Sequence, residues 1–76
     1  MTHTQNAILR YAYNKYKAGI TKPTIPYSEV SNSQLDARNA LDSLQSSGYI
    51  KILSPAINCS TINLTEYGFS FCEQSF

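Results

Sequence analysis

The chain has 76 residues, six of them basic and five acidic, for a net charge of +1, and 14% are charged. A chain this short is one small domain that buries roughly 60% of its unfolded surface, near the lower limit for a self-sufficient core. Two cysteines exclude a disulfide-rich scaffold, and the near-neutral balance excludes a strongly basic nucleic-acid coat.

The polar start, Met1 to Asn6, lacks the basic-then-apolar pattern of a signal peptide, and residues 1–5 are expected to fray. The first periodic segment runs from Asn6 to Ala18. Ile8, Leu9, Ala12 and Tyr16 share a face, with Tyr13 on its edge and Tyr11 off the stripe. Lys15 and Lys17 followed by Gly19 form a typical helix end. Pro23 and Pro26 bar a helix between Ile20 and Pro26, leaving a short edge strand around Thr24-Ile25 with Ile25 inward.

Tyr27 to Val30 reads as one or two helical turns with Tyr27 and Val30 inward, and Ser31-Asn32-Ser33 as the turn after it. Ser31 with Gln34, and Ser33 with Asp36, both have capping-box spacing, so either can begin the next helix. On that third helix Ala37, Ala40, Leu41 and Leu44 form the apolar stripe, continued by Tyr49 and Ile50 beyond Gly48. Gln34, Arg38, Asn39, Asp42 and Gln45 occupy the other side, where Leu35 also falls once the helix is regular.

Lys51 to Ser54 and Ser60 to Leu64 read as two strands, the second with period-two alternation, joined by a loop from Pro55 to Cys59. Thr65 suits an N-cap for a final segment of a turn or two, weakened by Gly68.

This succession, with Ala40-Leu41-Asp42-Ser43-Leu44, Gly48-Tyr49-Ile50 and Leu64-Thr65-Glu66-Tyr67-Gly68 as its strongest pieces, resembles a winged helix-turn-helix domain, the module of many small transcriptional regulators. The resemblance spans Asn6 to Cys72 and implies an α+β fold. Its parts are three helices, a small antiparallel β-wing and a short C-terminal helical segment, in a single domain over residues 1–76. It also implies that the third helix enters the major groove of duplex DNA.

Base contacts then fall to Gln34, Arg38 and Asn39, because Arg pairs two-way with guanine and Asn or Gln with adenine. Asp36 and Asp42 flank them and repel phosphate. Phosphate contacts fall to Ser28, Ser33, Lys22 and Lys51, including the amides at the helix starts. Wing tips that enter the minor groove usually carry Arg or Lys, and Pro55 to Thr61 has neither. Ile57 is left to touch a protein partner or to fold back.

Six tyrosines and three phenylalanines exceed what so small a core can enclose. Tyr16 and Tyr49 are assigned to the core, and Tyr11, Phe71 and Phe76 to the interface of a homodimer. Catalysis is not expected. No nucleophile–base set, metal-ligand spacing or glycine-rich phosphate loop is present, so no metal, cofactor or small-molecule ligand is expected either. No apolar run approaches the roughly 20 residues needed to cross a bilayer, so the expected setting is cytoplasmic, with both thiols reduced. The expected function is sequence-specific binding of duplex DNA by a transcriptional regulator. The alternative is a winged-helix adaptor that binds protein.

Overall fold

In the computed structural model, which describes all of Met1–Phe76, the elements follow the order α1 (His3–Lys17), β1 (Thr24–Pro26), α2 (Tyr27–Val30), α3 (Gln34–Ser46), β2 (Ile50–Pro55), β3 (Cys59–Leu64) and α4 (Glu66–Ser75). The strands form one antiparallel sheet in the order β1-β3-β2. This α+β arrangement of four helices and three strands is compatible with a winged-helix-like layout.

Helix α1 starts earlier than its apolar stripe suggests. Thr2 and Gln5 close a reciprocal capping box, with the Gln5 amide donating to Thr2 Oγ1 at 3.1 Å and the Thr2 amide to Gln5 Oε1 at 2.8 Å. The helix thus begins at His3, three residues before the periodic segment. The inward face holds Thr4, Ile8, Leu9, Ala12 and Tyr13, whereas Tyr16 is 38% exposed. The assignment of Tyr16 to the core is thus overturned. Phe69 of α4 packs against both rings, with centroids 5.7 Å from Tyr13 and 4.9 Å from Tyr16, and is itself packed on the core, so Tyr16 rests on Phe69 at the surface.

Both long internal helix ends use glycine in the same way. Gly19 and Gly48 have φ of 95° and 85°, a region that costs other residues a Cβ clash. Around them the Ile20 amide reaches Lys15 O and the Tyr49 amide reaches Leu44 O, at 2.9 and 3.0 Å, closing Schellman motifs. The second of these turns the chain straight from α3 into β2.

Helix α3 buries Ala37, Ala40, Leu41 and Leu44, as its periodicity predicts. They join Ile8, Leu9, Ile25, Tyr27, Val30, Ile50, Ile62, Leu64 and Cys72 in one core. Strand β1 pairs with β3 through Thr24↔Thr61, Ile25↔Ser60 and Pro26↔Cys59, so Ile25 points inward as expected. The β2–β3 hairpin is longer than the sequence suggests, leaving only Ala56, Ile57 and Asn58 between strands. Its register slips between Ile52 and Ser54, so Leu53 is an extra residue, 41% exposed.

Helix α4 has ten residues, not a turn or two. Thr65 caps it by accepting from the Gly68 amide at 3.0 Å, and its hydroxyl donates to Gly48 O at 2.6 Å. The Cys72 thiol donates to Leu9 O at 3.7 Å and is wholly buried, which pushes its pKa up to about 11. No helix of the chain is long and apolar enough to cross a membrane.

Candidate nucleic-acid interface

The start of α3 is fixed from several directions. Ser33 is the N-cap, its Oγ accepting from the Asp36 amide at 3.2 Å, so the second of the two possible caps is the one used. The reciprocal half of a capping box does not form. The Ser33 amide donates instead to Ser31 Oγ at 3.1 Å. The Asp36 carboxylate accepts from Thr4 Oγ1 at 2.5 Å and from Ser31 Oγ at 2.8 Å. The hydroxyl of Thr4, then that of Ser31, holds this exposed carboxyl below its ordinary pKa. Asp36 therefore stays charged at the helix N-terminus, where it suits the backbone dipole and opposes an incoming phosphate.

Gln34 has a partner that no local pattern announces. Its side-chain amide donates to the Ile57 carbonyl and ties the hairpin turn to the first turn of α3. Tyr27 secures the same hairpin from beneath, with its hydroxyl 2.7 Å from Ser60 Oγ in the interior. The Tyr27 amide donates to Asn58 O at 3.0 Å. An open cleft of about 680 Å³ lies here, bordered by Pro26, Ser28, Asn32, Gln34 and Asn58. Asn32 and Asn58 were not singled out from the sequence. Only the folding back of the hairpin brings them together.

Arg38 and Asn39 are exposed and carry none of the hydrogen bonds that occupy Gln34, Asp36 and Gln45. Arg38 and Asn39 therefore keep their full bonding capacity, whereas part of that of Gln34 is committed to the hairpin. Leu35 beside them is 68% exposed. Gln45, read as plain outer face, instead accepts from the Ile52 amide at 2.7 Å and caps the outer edge of β2.

The cations divide into two groups. Arg10, Lys15 and Lys17 lie over the rings of Phe76, Tyr11 and Tyr13, at 5.0, 5.5 and 4.7 Å from the centroids. Lys22, Arg38 and Lys51 have no such partner and are exposed. Ser28 and Ser33 are exposed too, and Ser33 retains its hydroxyl proton for donation. The hairpin turn has no cation, and Ile57 there is 82% exposed.

A second surface is aromatic. Tyr67, Tyr49, Phe71 and Phe76 form a continuous series with successive centroids 4.9, 5.2 and 6.3 Å apart. Tyr11, Phe71 and Tyr49 are half-buried against the core, so Tyr49 is at the edge of the core and not within it, whereas Tyr67 and Phe76 are exposed. Tyr11 thus lies closer to the core than its place off the stripe implied. No group of three or more His, Cys, Asp or Glu side chains converges anywhere in the fold. No family model matches the chain, and neither does any curated protein or solved structure.

Proposed function

We propose that this chain is a winged helix-turn-helix protein that binds duplex DNA and acts as a sequence-specific transcriptional regulator, with α3 in the major groove. The observation that carries the reading is the outer face of α3. Arg38 and Asn39 stand there exposed and uncommitted on a helix whose other face is anchored in the core. Both side chains can make two-way contacts to base edges. Gln34 joins them with the part of its amide that the hairpin leaves available. Lys22, Lys51, Ser28 and Ser33 serve as phosphate contacts around that helix.

Arg38→Ala is expected to weaken binding to a selected duplex by about 1–3 kcal/mol and to relax preference at one base pair. Lys51→Ala should weaken all sequences alike and flatten the salt dependence by about one phosphate's worth. The wild-type salt slope itself should be shallow, reflecting about two to four phosphates per subunit. Selection from random oligonucleotides, followed by titration at several salt concentrations, tests all three. Unchanged affinity and selectivity in Arg38→Ala removes the base-reading role.

A protein-binding adaptor is the second reading. What favours it is the cation-free hairpin turn with Ile57 projecting from it.

Under either reading we propose a homodimer built from Tyr11 and the C-terminal aromatics Phe71 and Phe76, which continue into the exposed ring of Tyr67. Such an aromatic surface suits an interface better than open water. Light scattering across a concentration series should show twice the chain mass at high micromolar protein. A constant monomer mass removes the proposal.

A further inference from the structure

Helix α3 leaves one large apolar side chain in water, and that side chain sits among its uncommitted polar groups. Leu35 is 68% exposed, while the other leucines of the helix, Leu41 and Leu44, are each 1% exposed. Arg38 and Asn39 follow Leu35 by three and four residues, so the three side chains are neighbours on one face. The turn that carries Leu35 is also held in place. Ser33 caps it, and Gln34 ties it to the Ile57 carbonyl. Leu35 is therefore presented from a fixed backbone.

In the major groove nearly every base-edge feature is a hydrogen-bond donor or acceptor, and the exception is the C5-methyl group of thymine. A leucine at the start of the helix would gain nothing against guanine or adenine acceptors and would leave a cytosine amino group without a partner. Against a thymine methyl it would remove apolar surface from water on both sides. We infer that Leu35 reads a thymine next to the base pairs contacted by Arg38 and Asn39. This assignment rests on the DNA-binding reading of α3 and adds a specificity residue to it.

The test uses the purified full chain. Duplexes selected from a random pool are titrated by fluorescence anisotropy, and each thymine is then replaced in turn by deoxyuridine, which lacks only the methyl group. One replacement should weaken the wild type about three- to fivefold, roughly the worth of one buried methyl group. Leu35→Ala should bind the thymine and deoxyuridine duplexes equally, whereas Arg38→Ala should keep the difference. Alanine at this exposed helical position is at least as good a helix former as leucine, so the variant should melt like the wild type. A selected duplex indifferent to every thymine replacement overturns the assignment and leaves DNA reading intact. A Leu35→Ala protein that still discriminates does the same. If no duplex is enriched at all, the DNA reading fails and the assignment falls with it.

Discussion

Gly68→Ala should be the most damaging small substitution in the chain, costing about 3–5 kcal/mol, above the usual range for overpacking. A Cβ built on Gly68 would meet the Tyr49 carbonyl oxygen at 1.9 Å and its carbon at 2.8 Å. Both are backbone atoms of the residue just before β2, so no side-chain rotation relieves the clash. The Tyr49 carbonyl is held by the Thr65 amide at 3.1 Å, and Thr65 in turn caps α4. Moving α4 away would undo these bonds together and unseat Cys72 from Leu9. A domain of this size has a total stability of about 4–11 kcal/mol, so much of the population would unfold. Gly48→Ala is the control. That site has a φ of 85° but nothing within 4 Å of a new Cβ, so the cost is the backbone term alone, about 1–2 kcal/mol. Urea unfolding of both variants checks the ranking. Equal losses would show that Gly68 of α4 does not lie against the Tyr49 carbonyl as described.

Leu41→Ala should cost about 2–5 kcal/mol, since it empties a site in the middle of the core. Leu41 is 1% exposed and lies with Leu44 on the buried stripe that faces the rest of the core. The companion change is Gln45→Ala on the outer side. The structure raises its expected cost slightly, to about 0.5–1 kcal/mol, because the Ile52 amide loses its partner. Water can still reach that amide, which keeps the loss small. Denaturant midpoints at constant slope give both values. Comparable losses at the two sites would mean that α3 is rotated about its axis.

The contrast between Gly68 and Leu41 shows which parts of this fold were legible in the sequence. Leu41, Leu44, Ile62 and Leu64 advertise their burial through spacing, because a helix or strand with one buried face must repeat. Gly19 and Gly48 are legible for a similar reason, since a helix end with a left-handed residue is a local event. Gly68 reads locally as a weak point in a helix. Its actual reason is the position of a carbonyl nineteen residues earlier in the chain. Thr2 and Gln5 carried a capping signal that the polar composition around them concealed. Periodicity ranked Tyr16 above Tyr13, and the structure reverses that order because burial here depends on where Phe69 settles.

At the candidate site the outer face of α3 was readable as a set of residue types. The commitments within it were not. Whether Gln34, Asp36 and Gln45 are available to a ligand depends on Ile57, Thr4 and Ile52, each from another element. Side-chain hydrogen bonds across the fold leave no periodic trace. Arg38, Asn39 and Asp42 differ from Gln34, Asp36 and Gln45 in having no such bond.

The slipped register at Leu53 and the Gln45 cap on Ile52 have a consequence for how this protein can fail. A bare edge strand is a template on which further chains can stack into fibrils. Here the bulge twists the edge, and a side-chain carbonyl occupies the Ile52 amide that a docking strand would need. Amyloid-type growth from the β2 edge of the native state should therefore be resisted. Recruitment of extended peptides by strand addition is blocked at the same place.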